Sequence, residues 1–98
     1  MAVIAGIDVG TQSTKVMVYD AESRTTLALV QSAYDVIARN DGTREQDAAW
    51  WTDAIVRCFA GIPAAVKKRI SAIGVSGQQH GFVPLDASGR VIRPVKLW

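Results

Sequence analysis

The chain has 98 residues, enough for one small domain but not for two. Apolar residues make up 49% of the sequence and charged residues 20%, which favours a folded core over disorder. Eleven basic residues against nine acidic ones leave a net charge of +2, too small an excess to form the basic surface typical of nucleic-acid binding.

Sequence signals for secretion, membrane insertion and metal binding by cysteines are lacking. Cys58 is the single cysteine, so the sequence has neither a disulfide framework nor a CxxC metal motif. Residues 1–6 lack the basic start of a secretory signal, and no apolar run approaches the ~20 residues that span a bilayer. We therefore expect a cytoplasmic protein with no membrane and no nucleic-acid partner.

Three strands are predicted in the N-terminal half. The apolar run Val3–Val9 is typical of a buried strand, residues 15–19 alternate as a second strand, and residues 25–37 are expected to form a long, bent third strand. Polar residues between these runs supply turns, so the three strands are predicted to form an antiparallel meander. Residues 38–46 contain a strong turn signal and are predicted to be a polar loop.

A helix is predicted next. Asp47 has the character of a helix N-cap, and Gly61 and Pro63 interrupt the pattern that follows it. A short second helical turn is therefore expected up to Arg69. The first helix should carry one apolar face, because large apolar residues recur every three or four positions: Trp51, Ile55, Phe59 and Ile62.

The C-terminal part predicts a strand and a hairpin. Residues 70–76 should pair in parallel with a neighbouring strand, because a helix connects them to the sheet. Residues 82–85 and 91–93 flank residues 86–90, whose composition is typical of a hairpin turn. The chain ends at Trp98 without a polar tail, which favours a truncated or proteolysed chain; a short protein with a flexible end is the alternative.

The first candidate site is the segment Asp8-Val9-Gly10-Thr11-Gln12-Ser13-Thr14-Lys15. A carboxylate at the end of a buried strand, such as Asp8, points out of the sheet edge and can hold Mg²⁺ through water, since Mg²⁺ keeps most of its hydration. Gly10 permits a tight turn, after which backbone N–H and hydroxyl groups face a common point and bind phosphate oxygens. A plain hairpin with Asp8 capping the turn is the alternative, and spacing alone leaves both open.

The second candidate site is Gly77-Gln78-Gln79-His80-Gly81, at the end of the last predicted strand. Glycines permit close approach of a ligand, and Gln79 and His80 offer donors and acceptors to the hydroxyls of a polyol. A structural or simply exposed His80 is the alternative.

A third group, residues 44–47 with Trp50 and Trp51, is predicted to be structural. Asp47 caps the helix, Trp51 lies on the buried face, and the charged residues solvate the loop. Trp98 has two possible roles. Its aromatic face could stack on the C–H side of a sugar, or its side chain could pack in a core.

Five segments, taken in order, resemble the FGGY family of carbohydrate kinases, most closely its xylulokinase-like members. The resemblance covers essentially all 98 residues. Each segment is short, but five in the correct order are specific: Gly6-Ile7-Asp8-Val9-Gly10-Thr11-Gln12-Ser13-Thr14-Lys15; Glu45-Gln46-Asp47 with Trp50-Trp51; Ile73-Gly74-Val75-Ser76-Gly77-Gln78-Gln79-His80-Gly81; Leu85-Asp86 with Gly89; and Arg93-Pro94 with Leu97-Trp98.

The resemblance implies an α/β protein of ribonuclease-H-like, actin-like ATPase fold, here partial. Its elements would be a three-stranded antiparallel meander, a helix, a parallel strand and a hairpin. Residues 1–98 would be the N-terminal part of the first of two domains, with the remainder of domain I and all of domain II absent. The implied reaction is transfer of the γ-phosphate of ATP, with Mg²⁺, to a hydroxyl of a small-molecule sugar. For the full-length protein a homodimer is considered, and the sequence leaves the oligomeric state open.

The resemblance also assigns roles to nine residues. Asp8 would help to hold Mg²⁺ beside the transferred phosphate. The phosphate turn with its nearby lysine would comprise Gly10, Thr11, Gln12, Ser13 and Lys15. The sugar would meet Gln79, His80 and Trp98. The family's general-base aspartate and adenosine-binding loops belong to later segments, so the 98 residues alone are expected to be inactive.

Two departures from the family pattern affect the identity of the sugar. Xylulokinases commonly have Met-His where this chain has Gln79-His80, and an apolar residue at Lys96. Two other functions remain as alternatives: a non-catalytic sugar-sensing or interaction module of the same fold, and a ribonuclease-H-like nuclease. A nuclease needs further carboxylates that converge on Asp8, and residues 70–76 offer none.

Overall fold

The computed structural model describes residues 2–78 and 81–97 as two small sheets and two helices. The elements follow in the order β1 (Val3–Val9), β2 (Ser13–Asp20), β3 (Thr25–Ala33), β4 (Ile37–Ala38), β5 (Arg44–Gln46), α1 (Ala48–Ala60), α2 (Ala64–Lys67), β6 (Ile70–Ser76) and β7 (Val95–Lys96).

The larger sheet has the strand order β3-β2-β1-β6. β1 and β2 pair antiparallel, as do β2 and β3, and β6 lies parallel to β1 on its other side. The predicted meander and the predicted parallel strand are therefore confirmed. β1 lies between β2 and β6, so the carboxyl end of β1 meets both the start of β2 and the end of β6.

One face of this sheet is buried under α1 and the other is open. Side chains alternate between the two faces along β1 and β2, as the period of two in a pleated strand requires. α1 packs against β2 and β3 and covers the first face. The core on that face consists of Val3, Ala5, Ile7, Val9, Val16, Val18, Cys58 and Ile62.

The helix begins and ends where the sequence predicts. The Asp47 side chain accepts a hydrogen bond from the N–H of Ala49 at 2.9 Å and caps α1. Gly61 ends α1, and α2 begins directly after Pro63. Within residues 2–78 and 81–97, neither helix is long and apolar enough to cross a membrane.

The segment between the meander and the helix differs from the prediction. The third strand ends at Ala33 and does not continue to Ile37. Residues 38–46 are not simply a loop, because β4 and β5 pair antiparallel and β7 adds to β5 in a second sheet. This small sheet holds the buried carboxylate of Glu45, which accepts from Arg39 Nε at 3.0 Å and from Arg93. The prediction that these charges solvate a loop is wrong for Glu45.

The predicted hairpin near the end is confirmed as a turn rather than as a pair of strands. The Asp86 N–H donates to the carbonyl oxygen of Arg90, and Gly89 takes a positive φ of 85° in the turn. Leu85 and Val91 form an isolated bridge beyond it.

Asp20 provides a pH-dependent contribution to stability. Its carboxylate accepts from the backbone N–H groups of Ser23 and Glu22, and from Arg69 at 2.7 Å. The Ser23 N–H, above all, lowers the pKa of Asp20 below its ordinary value, with further lowering from Glu22 and Arg69 against an opposing effect of burial. A lowered pKa in the folded state stabilises the fold above the unfolded pKa of about 4, and this stabilisation is lost as the pH falls through the folded value.

We therefore expect the free energy of unfolding to fall as the pH drops below about 4, and to fall less steeply in an Asp20→Asn variant. Urea unfolding at a series of pH values measures both slopes. Because every other carboxylate is shared, the difference between the two curves isolates Asp20. Parallel curves would contradict the assignment.

Candidate functional site

The site lies at the end of β1, on the open face of the larger sheet. Asp8 is exposed there and lies in register with Lys15 on β2 and with Ser76 on β6. A carboxylate, an ammonium group and a hydroxyl therefore stand side by side across three strands. Together with Gly6 and Gly74 they line an open depression of about 360 Å³.

The β1–β2 turn (residues 10–12) follows directly, and its carbonyl oxygens all have donors. The Gly10 oxygen accepts from the Tyr34 hydroxyl at 2.5 Å and from Gln78 Nε2 at 3.2 Å. The Thr11 oxygen accepts from Gln46 Nε2 at 2.6 Å, and the Gln12 oxygen accepts from the Tyr34 N–H at 3.0 Å. The negative ends of these peptide dipoles are thus turned toward the protein and neutralised there.

The N–H groups of the same turn are less completely bonded than its carbonyl oxygens. Among the described residues, no acceptor is present for the backbone N–H of Thr11 or of Gln12, whereas the Gly10 N–H closes the turn on the Ser13 oxygen at 2.9 Å. A Cβ at Gly10 would lie 3.1 Å from that oxygen, which is closer than ordinary Cβ contacts. A tight turn whose carbonyl oxygens are satisfied by the protein, and whose N–H groups have no such partner, can bind an anion.

Tyr34 holds the turn through its hydroxyl and its backbone N–H. Its hydroxyl is shared between the Gly10 oxygen and Thr14 Oγ1 at 3.2 Å, and its backbone N–H binds the Gln12 oxygen. Burial, more than the nearby Asp8 charge, raises the pKa of Tyr34, so the phenol keeps its proton at neutral pH and acts as a donor.

Gln46 and Gln78 place the start of the loop after β6 (residues 77–78) against the β1–β2 turn. Gln78 Nε2 donates to both the Gly10 oxygen and Gln46 Oε1, the latter at 3.0 Å. Thr11 Oγ1 lies 3.4 Å from Gln78 Oε1. Two segments that are 67 residues apart in sequence are therefore neighbours in space.

The donor set fits a metal that is held mostly by water and by a substrate. Within residues 2–78 and 81–97, no group of three or more His, Cys, Asp or Glu side chains comes together. A single exposed carboxylate such as Asp8 matches Mg²⁺, which usually keeps several waters and binds through one or two carboxylates plus substrate phosphates.

The structure brings together most of the residues that the sequence predicts for the phosphate site. Asp8, Gly10, Thr11, Gln12 and Lys15 lie at one end of the sheet. Ser13 begins β2, and its hydroxyl accepts from Gln31 Nε2 on β3 at 3.0 Å. The predicted sugar residues, Gln79, His80 and Trp98, lie outside the described residues.

Three further residues build the site: Tyr34, which the sequence did not mark; Gln46, which was predicted to be structural; and Gln78, which was included in the second candidate site without a role of its own. No local pattern marks Gln46, because its burial depends on segments that come from elsewhere in the chain. Tyr34 offered a weak signal, since a tyrosine near the end of an apolar strand usually seeks a partner for its hydroxyl when it is buried.

Comparison with known proteins identifies relatives of this chain. The profile of the FGGY family of carbohydrate kinases, N-terminal domain, matches residues 3–98. A xylulose kinase of Arthrobacter sp. is 42% identical over 98 residues, which are 100% of this chain and 94% of that sequence.

Solved structures show the same relationship. A xyloylose kinase from Brucella ovis superposes with a TM-score of 0.89 at 35% identity, covering 98% of this chain and 20% of that one. The Plasmodium falciparum glycerol kinase with ADP superposes with a TM-score of 0.82 at 25% identity, covering 100% of this chain and 20% of that one. These neighbours are sugar kinases of the actin-like ATPase fold, so the predicted fold class is confirmed.

The chain spans about a fifth of the length of these solved chains and of most of the curated xylulose kinases that it matches. Within that span the match is continuous, and it runs from the first strand to the C-terminal residue. This chain belongs to the FGGY family of carbohydrate kinases.

Proposed function

We propose that this chain forms the phosphate-binding part of an ATP-dependent sugar kinase that phosphorylates a hydroxyl of a pentulose or a related sugar, as a xylulokinase does. The observation that carries the proposal is the polarity of the β1–β2 turn. Every carbonyl of the turn accepts a hydrogen bond from the protein, whereas the N–H groups of Thr11 and Gln12 have no acceptor within residues 2–78 and 81–97. Family membership supports sugar phosphorylation and favours it over nuclease chemistry.

The turn and its neighbours suit the charge of a nucleotide. Phosphoryl transfer depends mainly on positioning and on electrostatic stabilisation of the phosphate oxygens. Thr11 and Gln12 supply N–H donors, and Lys15 supplies a cation on the adjacent open face. Mg²⁺, when bound, would neutralise charge on the phosphates, and Asp8 would hold it through water.

The sugar is assigned to the loop after β6. Gln78 fixes the start of this loop against the turn, so a sugar bound by the next residues, Gln79 and His80, would lie near the phosphates. The roles of Gln79, His80 and Trp98 rest on the family resemblance. The proposal includes a general base outside this chain, and the expectation that the 98 residues alone show no turnover stays a prediction. A cytoplasmic location, where ATP is available, and a homodimer belong to the same proposal.

Asp8 is tested by Asp8→Asn in the full-length polypeptide that carries this chain. We expect kcat to fall roughly 100-fold, the size of losing one electrostatic contact to the transition state, with the sugar KM nearly unchanged. Steady-state kinetics with ATP and a pentulose measure both constants. Asp53→Asn is the matched control, because Asp53 is exposed on α1 and should leave the rate unaltered. An unchanged kcat in the Asp8→Asn variant would show that Asp8 does not hold the metal.

Tyr34 is tested by Tyr34→Phe in the same polypeptide. Loss of the hydroxyl leaves the Gly10 oxygen with one donor fewer, so the turn should loosen and the ATP KM should rise about fivefold, which corresponds to about 1 kcal/mol. Tyr19→Phe serves as the control, since the Tyr19 hydroxyl has no hydrogen-bond partner among the described residues. Equal ATP KM values in the two variants would show that the Tyr34 hydroxyl does not support the nucleotide site.

His80 is tested by its own substitution. His80→Ala should raise the sugar KM roughly tenfold through the loss of one hydrogen bond to a hydroxyl, while the ATP KM stays constant. The two KM values are measured in separate titrations at saturating co-substrate. An effect confined to ATP would move His80 out of the sugar pocket.

A further inference from the structure

Gln46 is a fully buried polar side chain, with 0% of its surface exposed, and it uses its whole hydrogen-bonding capacity. Its Nε2 donates to the Thr11 oxygen at 2.6 Å and to the Asp35 oxygen at 2.9 Å. Its Oε1 accepts from Trp51 Nε1 at 2.9 Å and from Gln78 Nε2 at 3.0 Å. Two donated and two accepted bonds are all that a glutamine amide can make.

The four partners of Gln46 come from four separate segments. Thr11 belongs to the β1–β2 turn, Asp35 to the link between β3 and β4, Trp51 to α1, and Gln78 to the start of the loop after β6. Gln78 also donates to the Gly10 oxygen, so the bonds close a ring that runs from the turn through Gln46 to Gln78 and back. Gln46 therefore joins the turn to the loop in addition to the direct bond from Gln78 to Gly10.

The chemistry of the position makes the amide hard to replace. A side chain without the NH₂ group leaves two backbone oxygens, those of Thr11 and Asp35, without this donor. A side chain without the Oε1 atom leaves the Trp51 indole N–H and one Gln78 hydrogen without an acceptor. Removing one partner from a buried hydrogen bond costs more than the bond itself contributes, because the group left behind has lost its water as well.

We propose that Gln46 is a positioning residue for the kinase reaction, which fixes the distance between the phosphate-binding turn and the sugar-binding loop. This inference rests on the proposed function. Gln46 lies beneath both segments and is shielded from solvent, so it acts through Thr11 and Gln78 rather than on either substrate. Its loss should weaken the binding of ATP and of the sugar together, whereas a residue in one pocket affects one substrate.

The proposal is tested in the full-length polypeptide with Gln46→Leu and Gln46→Glu. Gln46→Leu removes all four bonds, and both the ATP KM and the sugar KM should rise about tenfold. Gln46→Glu keeps an oxygen that accepts from Trp51 and Gln78, but its second oxygen replaces the NH₂ group and faces the Thr11 and Asp35 oxygens without a donor. It should therefore raise both KM values, and the ATP KM at least as much as the sugar KM.

A control separates positioning from a general loss of stability. Val18→Ala removes buried methyl groups from the centre of β2, where Val18 is 0% exposed, and lowers stability without touching the ring of hydrogen bonds. At a temperature well below the unfolding transition of every variant, Val18→Ala should leave both KM values unchanged. If Val18→Ala raises them as much as Gln46→Leu does, Gln46 has only a structural role.

A double-mutant cycle with Gln78→Leu tests the ring itself. Because Gln46 and Gln78 share a hydrogen bond, the double variant should lose little more kcat/KM than the worse single variant. A loss equal to the product of the single losses would overturn the coupling.

The outcomes also separate this inference from the proposed function. If the wild type is active and Gln46→Leu changes neither the ATP KM nor the sugar KM, the positioning role is wrong but the proposed function stands. A full-length wild type that phosphorylates no pentulose or polyol overturns the proposed function, and the same cycle on free energies of unfolding then decides whether Gln46 and Gln78 are coupled.

Discussion

The structure of the site depends on where the carbonyl oxygens of a three-residue turn find their donors. Peptide groups carry a donor and an acceptor each, and a turn that binds an anion must present the donors while hiding the acceptors. Here the Tyr34 hydroxyl and N–H and the amides of Gln46 and Gln78 bond the carbonyls of residues 10–12. Without those bonds, unpaired carbonyl oxygens of the turn would repel an anion that approached it.

The register of the strands places charged and polar side chains next to the turn. Asp8 ends β1 on the open face, and antiparallel pairing with β2 puts Lys15 directly beside it, while parallel pairing with β6 puts Ser76 on the other side. A slip of one residue in either pairing would send Asp8's neighbours to the face that α1 covers. The alternation of buried and exposed side chains along β1 and β2 therefore determines which residues lie on the open face as well as which residues form the core.

Much of the fold follows from local signals in the sequence. The apolar run Val3–Val9, the alternation of residues 15–19 and the N-cap Asp47 mark β1, β2 and the start of α1, so these elements were predictable. The end of β3 was not, because it depends on the partner strand: Ala33 pairs with Ser13, the first residue of β2, and the Tyr34 N–H then bonds the Gln12 oxygen of the turn in the same register. Likewise, the burial of Gln46 arises only when four segments meet, and the sequence around it resembles a solvated loop.

The backbone N–H groups of Thr11 and Gln12 are proposed to bind the phosphates of the nucleotide. The most direct measurement is a crystal structure of the full-length polypeptide with Mg²⁺ and a non-hydrolysable ATP analogue. We expect phosphate oxygens within 2.7–3.2 Å of the backbone nitrogen of Thr11 or Gln12, the usual length of an N–H···O hydrogen bond. The bonds from Tyr34, Gln46 and Gln78 to the carbonyl oxygens of residues 10–12 should remain intact. Phosphates bound away from this turn, or those two N–H groups bonded to the protein itself, would contradict it.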